Sequence, residues 1–387
     1  MVFLVNNFWS NATVIAFLAT AKGDGTDIYD PDNLHSSGTF TVPSAWNGRK
    51  ARVSAMYRKE AGGSVTLSIA KGGTDIPGMP KNTCETNSND ESMSAHSAPV
   101  VVATGDTFTV TASSAFGTGN GNAVAIELLR NSLKGCLANR ITSGYATGSA
   151  GLTVVQWNNE VYDTDGFHDN TTNPSRMTIP SGTTGLFRLS ASIAASGSTA
   201  ELGIAFYKNG TLITSTEYDT ENVSGNISAV SMPLTASAGD YFEVAIRAGS
   251  APTVDVSNNS WFAIEELPSG LTYQSASWSA TSLSSGSFIQ VGSTLTIPSG
   301  VTRVRAGFWG AKTSTTGTFA LKIQKNGADF TEGIMNQSNN AGGEFCHGMS
   351  IPFSVTPGDT LTCLGYTNAG AQNCTGFFWF EEVPDVT

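Results

Sequence analysis

Short runs in which apolar and polar residues alternate follow one another along this chain, and the same series of runs comes three times. Val304, Ala306 and Phe308 alternate with Arg303, Arg305 and Gly307. Leu189, Ala191 and Ile193 repeat the pattern earlier, as do Val53 and Ala55. A period of two marks a strand with one face buried. A second set of runs precedes a turn: Val65, Leu67 and Ile69; Leu202, Ile204 and Phe206; Leu321 and Ile323. No segment longer than a few residues combines helical spacing with helix formers. The pattern predicts an all-β chain.

Four landmarks fix the repeat. Thr41-Val42-Pro43 returns as Thr178-Ile179-Pro180 and Thr296-Ile297-Pro298. Lys71-Gly72-Gly73 returns as Lys208-Asn209-Gly210 and Lys325-Asn326-Gly327. Gly105-Asp106 returns as Gly239-Asp240 and Gly358-Asp359, and Glu127 as Glu265 and Glu381. From first to second copy the offsets are 137, 137, 134 and 138 residues; from second to third they are 118, 117, 119 and 116. Landmarks that move together mark a triplication. Asn-Gly after a strand-like run predicts a tight hairpin, since both turn positions tolerate positive φ. Glycine-rich turns between short, evenly spaced strands predict a sandwich or barrel. The expected units are 1–131, 139–268 and 271–387. The stretch Asn131 to Ser149 lacks pattern and reads as a linker; the second joint, Pro268 to Thr272, is shorter.

One run breaks the alternation. Each unit closes on an apolar stretch ending in an acid: Ala123 to Glu127, Trp261 to Glu265, Phe377 to Glu381. A strand of an antiparallel sheet normally keeps one face wet. Here both faces are apolar, so one fills the core and the other calls for a cover. Local loops could supply that cover. The stronger expectation is an inter-unit interface through Val124, Ile126, Trp261, Phe262, Ile264, Phe378, Trp379 and Phe380, since three units supply three such strands.

Composition narrows the function. Of 387 residues, 20 are basic and 31 acidic, a formal charge of −11. Nucleic acid and anionic membrane both call for a basic footprint, so neither is expected as a partner. The five cysteines, Cys84, Cys136, Cys346, Cys363 and Cys374, are odd in number and share no repeated spacing. Free or buried thiols are expected rather than a disulfide framework, although Cys363 and Cys374 could face each other across a hairpin. The apolar run Thr13 to Ala21 ends like a signal-peptidase site but has no basic segment before it, so no leader is expected.

The order Thr-Ile-Pro, alternating strand, Lys-Asn-Gly, Ala-Gly-Asp-Tyr and closing aromatic strand resembles the tumour-necrosis-factor/complement-head jelly roll, especially versions of it in bacteriophage virion proteins. Unit two carries it best, with Trp157, Val161 to Asp169, Thr178-Ile179-Pro180, Tyr207 to Gly210 and Ala238 to Tyr241. Unit three lacks the Asp-Gly-Phe-His-Asp segment, and unit one keeps only Asp32-Asn33 of it. The resemblance implies jelly-roll β-sandwich domains gathered round a three-fold axis, with the closing strand in the inner sheet. Three units in one chain then suggest a pseudo-trimer; three chains forming stacked trimers is the alternative.

Chemistry is sparse. His35, His96, His168 and His347 sit in no ligand spacing. Asp163, Asp165, His168 and Asp169 form the one dense polar cluster and are the weak candidates for a metal site, but they lack the later Glu of a calcium loop. A turn with capped backbone groups is the plainer reading. Glu265-Glu266 and Glu381-Glu382 cannot flank one glycosidic bond, because adjacent strand residues point to opposite faces. They read as charges that end a sticky strand. A ring of Glu127, Glu265 and Glu381 against a basic partner is the weaker alternative. No nucleophile elbow, phosphate loop or dinucleotide fingerprint appears. Neither enzyme activity nor a cofactor is expected. The expectation is a bacteriophage virion structural protein, a capsid decoration protein at the virion surface, with the major capsid protein, another virion protein or itself as partner. The alternative is a tail-fibre or spike head that binds a host-surface glycan through aromatics such as Tyr218 and Trp278.

Overall fold

The computed structural model describes residues 2–6, 35–36, 39–59, 63–86, 91–113, 123–130, 133–142, 145–146, 152–196, 202–213, 218–220, 225–248, 253–254, 260–283, 286–312, 317–330, 335–338, 345–368 and 372–383. The leader-like run Thr13 to Ala21, the Asp32-Asn33 remnant and the side chain of Tyr218 lie outside what is described. Among the described residues the chain is strand and turn, with one short 3-10 turn at Ser44–Trp46.

Each unit uses eight principal strands. In chain order these begin, for unit three, with Tyr273–Leu283 and Ile289–Thr296, and end with Thr360–Thr367 and Gln372–Glu382. One sheet runs first–eighth–third–sixth and the other second–seventh–fourth–fifth, and all three units repeat this order. Consecutive strands therefore alternate between two antiparallel sheets for most of the chain, which is the jelly-roll sandwich. The sheet containing the closing eighth strand is called the inner sheet below. Unit two adds an edge strand to it, Asn159–Asp163.

The inner sheet is built alike three times. The first strand pairs with the eighth: Val2–Asn6 with Ala123–Leu128, Gly135–Asn139 with Trp261–Glu266, and Tyr273–Leu283 with Gln372–Glu382. Gly135–Asn139 corrects the expectation of a linker over Asn131 to Ser149. Its five residues, Gly-Cys-Leu-Ala-Asn, are all buried, yet too few and too small to announce a strand in sequence. It also lies ahead of the expected start of unit two at 139.

Three of the sequence landmarks meet in one corner of each sandwich. In unit three the Ile297 amide donates to Asp359 O at 2.8 Å, and the Gly358 amide donates back to Ile297 O at 2.9 Å. Ile179 with Asp240 and Gly239, and Val42 with Asp106 and Gly105, repeat both bonds. The hairpin turn docks there too, with Asn326 N donating to Thr360 O at 2.8 Å. Asn209 and Asn326 adopt φ of 52° and 53°, followed by Gly210 and Gly327 at 74° and 76°. Asn326 is also held by its side chain. Its Oδ1 accepts from Thr360 N and its Nδ2 donates to Asp359 Oδ1, each at 2.8 Å. Asn326→Ala is expected to lose about 1–2 kcal/mol, since alanine in the left-handed region has neither the tolerance nor the bonds. Urea midpoints of Asn326→Ala and Asn326→Gly check this; glycine loses the side-chain bonds but keeps the backbone tolerance, so its loss is expected to be the smaller of the two.

Each sandwich fills its own core. Val53, Leu67, Phe108 and Ile126 belong to unit one's cluster, and Phe187, Leu189, Phe206 and Ile264 to unit two's. Phe308, Leu321, Leu361 and Phe378 belong to unit three's, which also gathers Met56, Ala123 and Ala125 from unit one. Trp278, one of the two aromatics named for glycan binding, lies on the strand Tyr273–Leu283 within this third core, 7% exposed. Cys136, Cys346, Cys363 and Cys374 are buried thiols outside any disulfide; burial pushes the Cys374 thiol up to about 11.

Candidate functional site

The third strand of each unit carries an arginine directly opposite the closing-strand glutamate. The registers are Arg52 to Glu127, Arg188 to Glu265 and Arg305 to Glu381. Strand alternation puts both residues on the sheet face turned away from the unit's own core. All six are buried, 1–6% exposed. Within the units, Arg188 Nη1 donates to Glu265 Oε1 at 2.8 Å and Arg305 Nη1 to Glu381 Oε1 at 2.9 Å, while Arg52 Nη1 stands 3.9 Å from Glu127 Oε2.

The second bond of each arginine leaves its unit. Arg52 Nη2 donates to Glu265, Arg188 Nη2 to Glu381, and Arg305 Nη2 to Glu127. Each glutamate is thus shared between its own arginine and a neighbour's, and the cycle closes one, two, three, one. The six charges cancel in a closed ring. Burial by itself would raise the Glu381 carboxyl, but Arg188 and Arg305 outweigh it and hold the group below the ordinary carboxylate value. On Arg52 burial prevails over Glu265, and the guanidinium is lowered.

Apolar and small residues extend the junction along the same faces. Trp261 Nε1 donates to Met79 O of unit one at 3.1 Å, and Trp261 and Ala263 cluster with Ala98 and Leu137. His96 Nε2 lies 3.1 Å from Met349 O of unit three, and Tyr273 Oη lies 3.5 Å from Met232 Sδ of unit two. Trp379 stacks on Phe377, with centroids 5.4 Å apart, and lines a cavity with His96 and Ser228.

The eight apolar residues expected at the junction divide by parity. Trp261 and Trp379 share the glutamate's face and meet other units. Val124 and Ile126 belong to the core cluster of unit one, Phe262 and Ile264 to that of unit two, Phe378 and Phe380 to that of unit three. The reason is the two-residue period: a side chain one step from the glutamate points into its own sandwich. The arginines went unrecognised, because Arg305 and its neighbours in sequence read as a wet face. A signal was there: Arg52, Arg188 and Arg305 are spaced by 136 and 117 residues, in step with the other landmarks.

The polar cluster of unit two is a capped turn. Asp163 accepts from the amides of Asp165, Gly166 and His168 at 2.9–3.2 Å. Asp169 Oδ1 accepts from the Thr171 and Thr172 amides and the Thr171 hydroxyl, and these bonds, the hydroxyl's foremost, hold its carboxyl far below the usual range. Asp165 accepts from the Thr164 hydroxyl at 2.7 Å. His168 stands between Glu160 and Pro174 O, each at 3.1 Å. The four do not converge on a common point; among the described residues no cluster of three or more His, Cys, Asp or Glu is placed to hold a metal.

No family model matches the chain, and no curated protein matches it. Among solved structures, murine APRIL is similar at 15% identity over 35% of this chain and 99% of that one, with a TM-score of 0.28. A structure of the infectious bursal disease virus Gx strain is 12% identical over 65% and 71%, with a TM-score of 0.21. A triple jelly roll from the turret of an archaeal virus is 10% identical over 89% and 81%, at 0.19. At these scores the likenesses carry no argument about this chain.

Proposed function

We propose that this chain is a non-enzymatic structural protein of a bacteriophage virion, a capsid decoration protein whose three jelly rolls form a single-chain pseudo-trimer. The observation that supports it is the ring of Arg52, Arg188, Arg305, Glu127, Glu265 and Glu381, which one chain closes by itself. A ring already complete needs no second chain, so the unit that docks is one polypeptide. Its partner is the major capsid protein or another protein of the particle surface, and its charge of −11 suits a basic docking face. Mass measurement in solution tests the first part: one chain per particle is expected, and a stable species of three chains would overturn it. Imaging of the virion tests the second. Many copies spread over the shell are expected, whereas a few copies at one vertex would make the protein a tail-fibre or spike head instead.

A further inference from the structure

We propose that the junction between the three units is an acid-opened joint, in which His96, buried where units one and three meet, drives the units apart on taking up a proton while each sandwich stays folded. This stands on the inter-unit geometry alone and holds whether or not the virion reading does.

His96 is opposite Ser54 in register, on the same inner-sheet face as Arg52, and is 4% exposed. Its Nε2 contact is a carbonyl, Met349 O of unit three, which can only accept; Nε2 therefore carries the hydrogen. In the neutral ring Nδ1 is then a lone pair, and it has no hydrogen-bond partner. A proton arriving there finds no carboxylate among the described residues lining the cavity, and the charges it feels most are Arg305 of unit three, Arg52 of its own sheet and Arg188 of unit two. Their glutamates are already engaged in the ring. Across the same cavity stands a second imidazole, His347, partly exposed.

Burial first, and then the arginines, lower His96 well below the ordinary histidine value, and partial burial lowers His347 as well. A group lowered in the closed state supports closure fully above its free value, about 6.5 for histidine, and loses that support as pH falls below it. Opening restores the free value. Each such histidine therefore raises the opening constant about tenfold per pH unit below that point. Glu381, also lowered, acts in the same direction, but only as pH falls below about 4.3. The three cores are clusters of apolar side chains, tyrosine and thiols, which do not take up protons in this range.

The test follows the full chain from pH 7.5 to 3.5 by small-angle scattering and far-UV circular dichroism. The radius of gyration is expected to rise in a step that precedes loss of the β signal. In His96→Gln the step is expected at lower pH, with the logarithm of the opening constant rising less steeply by one per pH unit. A scattering change that coincides with loss of the β signal overturns the proposal, as does a step that His96→Gln leaves in place. If His96→Gln is not folded at pH 7.5, the same comparison with His347→Gln decides it.

Discussion

Glu381→Gln is expected to cost about 3–5 kcal/mol of stability, because it leaves one positive charge uncompensated among buried guanidinium groups. Glu381 Oε1 accepts from both Arg188 and Arg305, so one substitution removes the counter-charge from two units at once. Buried ion pairs add little over an apolar core of the same shape, yet breaking one from a single side is costly. Two controls follow. Glu382→Gln, one residue on and half-buried, where a glutamine can still accept from the Thr272 amide, is expected to change stability by less than about 0.5 kcal/mol. Replacing all six ring residues by apolar residues of similar volume is expected to recover most of the loss. Urea unfolding of the three variants measures this; equal effects of Glu381→Gln and Glu382→Gln would mean that the ring contributes nothing.

Gly376→Ala is expected to cost about 3 kcal/mol, at the upper end for an overpacked core. A methyl group there would lie 2.4 Å from Trp309 O and 2.5 Å from the Trp278 ring. The carbonyl belongs to a paired strand, opposite Phe377 in register, and cannot retreat without breaking the ladder. The indole of Trp278 occupies the space a side chain at 376 would need, which is how a large aromatic fits inside this sandwich. Thermal melts of Gly376→Ala against Thr375→Ala, whose position is exposed, separate the clash from simple strand propensity.

Much of this architecture was legible in sequence, for a physical reason in each case. The Thr-x-Pro, Lys-x-Gly and Gly-Asp landmarks are backbone requirements of one corner, where left-handed turn residues and paired amides admit few alternatives. The closing strand was legible because both its faces are apolar. The arginines were not, because a charged residue in an alternating strand is ordinarily solvated, and only the pairing with a glutamate on the neighbouring strand of the fold, far away in sequence, reverses that. Nor was the strand Gly135–Asn139, whose small residues have no period; what makes it a strand is the edge of the closing strand beside it. The parity of Trp261 against Phe262 is set by Glu265, and that glutamate's role depended on the unseen arginines.

The ring repeats in all three units, but the packing around it does not. Four residues after the arginine stand Met56, Ser192 and Trp309; two residues before the glutamate stand Ala125, Ala263 and Trp379. Gly307 leaves room for the Trp379 ring, which a Cβ there would approach to 2.4 Å. An assembly of identical chains must place three copies of every residue around its axis, so a tryptophan there comes in threes. A chain that carries its three units in tandem is free of that rule. It can set one large side chain against two small ones. The consequence is that the units are no longer interchangeable: replacing one by a copy of another would keep every charge in the ring and still leave the joint misfilled.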